Sequence, residues 1–315
     1  MLRHFEAEYE PATIPESAGP PQAIVSFLKR FHGADRLLVT RGGYKTARWT
    51  VGLSHPESEP LSASIALSAL PISFGVSLVQ GYFVEPVLSV AAARSGFVLL
   101  PSAGVSDDGR AVLLMGRSRT GKSSLAARAL VAGRRVLGDD QVLLDASGRC
   151  WPFPRRLRLY ADLPHTAPQA YDRLGASARA VLRGRELLRR ASRGWISPPV
   201  RVAPNELGPE AAAEPLDVAG IVLIERRAGA RELNVDAVDG ASAVGHALDL
   251  LERQRARLSS ASSAWAKALE SIREQERSML ERALAGKPVQ AVWVPDDWDA
   301  ARAIGALASL LQLDR

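Results

Sequence analysis

The chain has 315 residues, 47% of them hydrophobic and 23% charged, a balance that supports a sizeable buried core and argues against extended disorder. Its net charge of +6 rests almost wholly on arginine and favours acidic partners such as nucleotides or acidic peptides; no RNA- or DNA-binding signature accompanies it, so nucleic acid is not the expected partner. The single cysteine, Cys150, excludes an internal disulfide and a four-cysteine zinc site, and the polar, acidic start MLRHFEAEYEPATIPE lacks a basic-then-apolar leader, so the expected location is the cytoplasm.

Taken in chain order, residues 1–21 are rich in Pro and Glu (Pro11, Pro15, Pro20, Pro21) and are expected to be irregular. Gln22–Phe31 reads as a short helix. Arg36–Thr40 and Ala47–Leu53 read as strands joined by a turn at Arg41-Gly42-Gly43. Leu61 to Val84 carries no charged residue and is long enough on paper to span a bilayer. Pro71, Gly75, Gln80, Gly81 and several serines lower its apolarity, so buried helices, bent near Pro71, are expected over Leu61–Val79 instead. A further helix is expected over Pro86–Ala93, then a strand at Phe97–Leu100. The elements up to Ala93 make a smaller α/β region of residues 1–95, and the Phe97–Leu100 strand opens the expected domain of residues 96–315.

Beyond it, Asp107-Asp108-Gly109-Arg110 is a turn signal, and Ala111–Met115 is apolar and short enough for a buried strand. The segment Gly116-Arg117-Ser118-Arg119-Thr120-Gly121-Lys122-Ser123-Ser124 follows, then a helix through Leu125–Val131 with Gly133 at the C-cap position. Strands are expected at Arg135–Gly138 and Gln141–Asp145, a turn at Ser147-Gly148, and an alternating basic and apolar strand at Arg156–Tyr160. Ser177–Arg193 is a very basic helix, Val218–Ile224 a buried strand, and Gly240–Ala285 one or two long helices with a break near Leu258–Ser263. Val289–Val294 and Asp299–Leu311 close the chain as strand and amphipathic helix. No internal repeat is visible.

Gly116, Gly121, Lys122 and Ser123 meet the pattern G-x-x-x-x-G-K-[ST] between a strand and a helix. Each position has a physical task. A loop there turns its backbone N–H groups inward as an anion nest, and glycine permits the positive φ angles and close approach this needs. The helix N-terminus adds unpaired N–H groups and partial positive charge. Lys122 suits the β- and γ-phosphates of a nucleoside triphosphate, and the Ser123 hydroxyl suits Mg²⁺. Asp139 and Asp140 lie 17 and 18 residues beyond Lys122, one helix and one strand later, the distance that returns the chain beside the phosphates. A carboxylate there can hold Mg²⁺ or accept a proton from an attacking hydroxyl, and either aspartate suits either task. An Asp-Asp pair alone would equally fit a solvated turn.

With these residues in place, the chain resembles the HPr kinase/phosphorylase family and its wider group of HPr-kinase-like proteins. The resemblance rests on Gly116–Ser123, on Ala132-Gly133-Arg134-Arg135 and on Gly138-Asp139-Asp140, with weaker echoes at Tyr82–Pro86, Trp151–Pro154 and Ala219–Glu225. It implies a P-loop core related to phosphoenolpyruvate carboxykinase, a mixed sheet with flanking helices over residues 96–315. It also implies an ATP- and Mg²⁺-dependent kinase acting on a serine hydroxyl, with Lys122 on phosphate, Ser123 on the metal, and Asp139 and Asp140 in metal and general-base work. Two positions depart from the family pattern. Arg119 stands where the family loop has glycine, and Ser102 stands where family members carry a histidine. A hydroxyl cannot take up a proton near neutral pH as imidazole can. The phosphorylase signature of the bifunctional members is not visible.

Other residues admit plainer readings. Arg155, Arg156 and Arg158 suit phosphate or an acidic substrate, but alternation of this kind also marks a half-exposed strand. The basic helix with Arg183, Arg189 and Arg190 is expected to be a solvated face, with docking of an acidic peptide as the alternative. His4, His32, His55, His165 and His246 lack metal spacing; His165 follows the basic strand, which leaves entry into the site as an alternative to a structural role. Trp195, Trp265, Trp293 and Trp298 are expected in the core or an interface. The leading reading is a kinase for a peptide or protein hydroxyl. A nucleotide-binding regulatory protein without catalysis, and a small-molecule kinase, are the alternatives. A homo-oligomer is compatible with the sequence, which does not choose between adenine and guanine.

Overall fold

The computed structural model describes residues 5, 8, 9, 20–31, 38–153, 155–193, 197–209 and 214–313. The expectations for His4, His32, Pro154 and Trp195, and for residues 1–21 apart from Phe5, Glu8, Tyr9 and Pro20–Pro21, fall outside them. The fold is mixed α/β. Its chain forms two compact units, Ile14–Leu99 with Leu248–Leu280 (and Met1–Glu6), and Leu100–Ala247 with Glu281–Arg315 (and Ala7–Thr13). Residues 248–280 belong to the first unit, so the second is discontinuous in sequence.

In the first unit, strands β1 (Ala23–Leu28), β2 (Leu38–Tyr44), β3 (Ala47–Leu53) and β4 (Leu61–Ser68) form a sheet in the order β1-β4-β3-β2. Strand β1 runs parallel to β4, and the other pairs are antiparallel. Two expectations are corrected here. Gln22–Phe31 holds a strand, not a helix, and the charge-free run begins as strand β4, not helix. In β4, Leu61, Ala63 and Ile65 are buried alternately with half-exposed Ser62, Ser64 and Ala66. That two-residue period is the mark of a strand; lack of charge alone drew attention away from it. The β2–β3 turn also moves: β2 continues through Arg41-Gly42-Gly43 and the chain reverses at Lys45, where φ is 52°.

Helix α1 (Ile72–Val79) leads through a π-helical turn at Gln80–Val84 into α2 (Glu85–Arg94). This run from Ile72 to Arg94 is long and apolar enough to cross a membrane, and about two thirds of its apolar stretch (67%) is buried within the protein. The long helical stretch divides as expected into Gly240–Ser259 and Ser263–Ala283. Between these helices Arg255 and Glu276 are both buried, 4% and 0% exposed, with Arg255 Nη1 donating to Glu276 Oε2 at 2.7 Å and Nε to the Ser89 hydroxyl at 3.1 Å. Trp265, fully buried, donates its indole N–H to Ser54 O at 3.2 Å.

Strand β5 (Phe97–Leu100) ends the first unit's continuous stretch. The second unit is built on β6 (Ser102–Asp107), β7 (Arg110–Gly116), β8 (Val136–Gly138), β9 (Val142–Asp145), β10 (Arg149–Trp151), β13 (Leu216–Arg227), β14 (Asn234–Val238) and β15 (Val289–Pro295), while β11 (Leu157–Leu159) and β12 (Val200–Val202) pair separately. Strands β7, β13 and β15 are parallel neighbours at the centre. The antiparallel β6 and β8 extend one side, β14 the other, and β10 with β9 joins the start of β13. Helix α3 (Lys122–Val131) sits between two hydrophobic layers. Leu125 and Ala129 pack with Leu114, Val222, Ile224 and Val292 of the sheet, whereas Ala126, Ala127 and Leu130 pack with Leu157 and Leu159. Alanine lets both layers approach a helix buried on two faces. Helices α4 (Leu163–Thr166), α5 (Pro168–Arg173) and α6 (Ala176–Ala191) follow β11; Gly240–Ser259 and Ser263–Ala283 are α7 and α8, and α9 is Ala300–Leu310, N-capped by the Asp299 carboxylate.

Glu276→Gln leaves the buried Arg255 guanidinium without a compensating charge and is expected to cost about 3–5 kcal/mol, seen as a lower urea midpoint. Replacing both residues together, Arg255→Met with Glu276→Leu, is expected to recover most of that loss.

Candidate functional site

The glycine loop leaves the central strand β7 at Gly116 and enters α3 at Lys122. Its two glycines are held by packing. A Cβ at Gly116 would lie 2.6 Å from Ile224 O, and one at Gly121, where φ is 98°, would lie 1.9 Å from Ile304 Cδ1 of α9. Thr120 is buried and its hydroxyl donates to Arg117 O at 2.9 Å, closing the turn, while Arg117, Ser118 and Arg119 are exposed. Arg119 has φ of 70°. A left-handed backbone explains why glycine suits that position, and a side chain there costs about 1–2 kcal/mol. The loop keeps its shape nonetheless.

Lys122 turns back over the loop. Its ammonium is buried and donates to Gly116 O at 2.7 Å and Arg117 O at 3.0 Å. Burial holds its pKa below the usual lysine value, against the opposing pull of Asp140 and Asp139. Both carboxylates therefore act on the same ammonium. In the first turn of α3, Ser124 donates to the Thr166 hydroxyl at 3.1 Å, and one turn further on Arg128 Nε donates to Thr166 O at 2.7 Å. It is thus Thr166 that braces the start of α3; His165, its neighbour in α4, is exposed.

Asp139 and Asp140 follow β8 and have different environments. Asp139 is 4% exposed; its Oδ2 accepts the Arg158 N–H at 3.1 Å, and its Oδ1 is buried with no hydrogen-bond partner among the described residues. Burial, and next the charge of Asp140, push its pKa up to about 6, while the Arg158 N–H and the Ser123 hydroxyl beside it favour the ionised form. The Asp140 side chain is 39% exposed and its Oδ2 accepts from Arg155 Nη2 at 3.2 Å and Arg158 Nη1 at 3.1 Å. Burial works to raise its pKa, but Arg158, Arg155 and Lys122 outweigh it and hold the carboxyl below the ordinary aspartate value. One carboxylate is poised to bind a proton near neutral pH; the other stays charged.

The arginines of the basic strand thus position the acidic pair. They are themselves paired from a segment expected to be irregular. Glu8 is buried, its Oε2 accepting from Arg201 Nη1 of β12 at 2.9 Å and its Oε1 standing 3.9 Å from Arg158 Nε, and Arg155 lies over the Tyr9 ring. No local sequence signal singles out Glu8 or Arg201, because both are assembled from distant parts of the chain. Gln141, next to the pair, is 2% exposed with neither amide atom hydrogen-bonded among the described residues, and its sequence marks it only as the start of a strand.

An unpaired, buried carboxylate oxygen near a serine hydroxyl is the donor chemistry a hard divalent cation takes, and Mg²⁺ needs few protein ligands beside its waters and a substrate's phosphates. Asp139 and Ser123 fit it on that ground, and Asp140 beside them adds a second carboxylate, one oxygen of which is bridged by Arg155 and Arg158. Among the described residues no group of three or more His, Cys, Asp or Glu forms a metal cage. Ser102 is fully buried in β6, its hydroxyl bonded to Ala103 O and Leu114 O at 3.0 Å each, so it serves the strand pairing. Cys150 is buried in β10, and burial, with the Asp145 charge, pushes its thiol up to about 12, which makes it a poor nucleophile. A recess of about 320 Å³ lies elsewhere on the second unit, among Val105, Val112, Ile221, Gln290 and Leu313, with the Arg134–Asp107 ion pair on its wall. It includes no residue of the glycine loop or the acidic pair and assembles no reactive groups.

The raised Asp139 pKa carries a stability consequence. Between 3.8 and about 6 the folded chain holds a proton that the unfolded chain releases, so this contribution is complete below pH 3.8 and lost as pH rises through 6. In EDTA at pH 7.5, Asp139→Asn is therefore expected to stabilise the protein by on the order of 1–3 kcal/mol, with the gain vanishing toward pH 4 in denaturant titrations. In comparisons with known proteins, no family model and no curated sequence matches this chain.

Proposed function

We propose that this protein is a Mg²⁺- and nucleoside-triphosphate-dependent kinase, ATP being the expected donor, that transfers a phosphoryl group to a hydroxyl, expected to be serine, of a peptide or protein. One observation carries the reading. The lysine of a glycine loop at a helix N-terminus, the serine after it and two carboxylates of contrasting basicity interact electrostatically within one small site. The HPr-kinase-like resemblance, and with it a phosphoenolpyruvate-carboxykinase-type core, is part of the same proposal. The central β7–loop–α3 unit and the parallel β13 and β15 beside it support that finer fold reading.

Magnesium, when bound, supplies charge neutralisation at the β- and γ-phosphates. The chain's own residues do the rest. The loop N–H groups and the α3 N-terminus hold the phosphates. Lys122 exchanges its contacts with Gly116 O and Arg117 O for phosphate oxygens, bringing a full positive charge to the transferring group. Asp140, kept ionised by Arg155 and Arg158, supplies a fixed negative charge and a metal ligand. Asp139, with the higher proton affinity and an oxygen to spare, accepts the proton of the attacking hydroxyl. In this division of labour Ser102 has no part, so the aspartate does what an imidazole would otherwise do.

A second reading, a nucleotide-binding regulator without catalysis, is favoured by the same Ser102 and by the tight pairing of Asp140 with two arginines. The two readings separate cleanly. The kinase is expected to transfer label from γ-labelled ATP to a serine peptide, and Lys122→Ala to weaken Mg-nucleotide binding by at least about tenfold in calorimetry. Asp139→Asn is expected to retain binding and to lose about 10²–10⁴ in transfer rate. Tight nucleotide binding with turnover that is the same in wild type and in Asp139→Asn/Asp140→Asn would establish the regulator instead.

A further inference from the structure

Helix α6 presents two faces that do not belong to an ordinary surface helix. Only Leu182 is buried along its 16 residues. Val181, Leu187 and Leu188 are 45%, 68% and 41% exposed, and Ala180, Gly184 and Ala191 are exposed with them. At 3.6 residues per turn these six fall in one stripe about 120° wide, centred about 160° from Leu182, with Ser177 the one polar residue within it. The apolar stripe therefore points away from the fold that the helix rests on. A soluble helix normally buries its apolar stripe and solvates the rest.

The chemistry bordering the stripe narrows what covers it. Residues 176–193 carry six arginines against one glutamate, a net charge of +5. Arg183 and Arg190 border the stripe on one side and Arg185 on the other. A second copy of this helix would set like charges against like, which disfavours self-association. Gly184 lies mid-stripe with nothing within 4 Å of where a Cβ would be, so another backbone can come close there. Aromatic residues, the usual anchors of helices lying on lipid, are missing from the stripe. Small residues flanked by leucines and ringed by guanidinium groups fit an acidic helix with its own apolar face.

We propose that α6 is a docking surface for an acidic amphipathic helix on the polypeptide that carries the acceptor hydroxyl. The partner's role as acceptor rests on the kinase reading; the docking itself does not. Such a surface selects its substrate away from the reacting serine, so the residues around that serine need little recognition of their own.

The test uses the full chain and a fluorescein-labelled helical peptide with leucine and alanine on one face and glutamates along both borders. Its controls are a peptide of the same composition in scrambled order and vesicles of phosphatidylserine and phosphatidylcholine. Anisotropy is expected to show binding of the ordered peptide, weakening with salt. Leu187→Glu/Leu188→Glu and, separately, Arg183→Glu/Arg190→Glu are each expected to weaken it by about tenfold or more, with thermal melting and Mg-nucleotide binding unchanged. Equal binding of the scrambled peptide, no binding of the ordered one, or capture by the anionic vesicles in its place would overturn the proposal. Because nucleotide binding is measured beside docking, loss of the kinase reading shows separately, as nucleotide binding absent in the wild type.

Discussion

A buried ammonium set near one buried carboxylate and its half-exposed neighbour is the constraint on which the second unit's architecture depends. Lys122 is held out of water at the start of α3, and Asp139 is held out of water at the end of β8. Neither charge is tolerable alone, since an isolated ion in the interior carries a cost of several kcal/mol. The fold meets the lysine's demand with Gly116 O and Arg117 O and the Asp140 charge with Arg155 and Arg158. Burial and the neighbouring Asp140 charge raise the Asp139 pKa more than the Arg158 N–H and the Ser123 hydroxyl lower it. The residual tension is the feature that the proposed kinase chemistry uses.

The arrangement is stiff because each participant is braced from outside the site. Gly121 abuts Ile304 of α9, and α3 is packed on the sheet on one side and on β11 on the other. Arg158 belongs to β11, so the same short strand that covers α3 also supplies the N–H for Asp139 and the guanidinium for Asp140. Glu8 and Arg201 extend the ionic chain one step further. Arg155, Arg158 and Arg201 are thus each set against Asp140 or Glu8 within the protein. Their charge goes into holding the carboxylates in place, which differs from the phosphate-binding role that the bare Arg155-Arg156-x-Arg158 pattern suggests.

How much could be read from the chain depended on whether a signal was local. The glycine loop, the β7 strand before it, the α3 helix after it, Gly133 with φ of 83° and the break between α7 and α8 were all legible, because glycine, proline and helical periodicity act over a few residues. Strand β4 and strand β1 were misread as helix. Their apolar residues pair across distant parts of the chain, Ala23 with Leu61 and Phe27 with Ile65, and composition within one segment does not carry that information. The acidic pair was legible as a pair, but not as two different groups. Which one is buried and which one is bridged by arginines depends on β11 arriving from the other side.

The sequence alone determined a strand–glycine loop–helix followed at a set distance by Asp139-Asp140, because backbone freedom at Gly116 and Gly121 and the length of one helix and one strand are properties of the local chain. Only the tertiary structure decided that Glu8 and Arg201 complete the charge network, that Arg119 adopts a left-handed backbone, that Ser102 is spent on strand carbonyls, and that α6 turns its apolar stripe outward. Each of these follows from burial and from which charges meet in space, and both are set by packing between segments far apart in the chain.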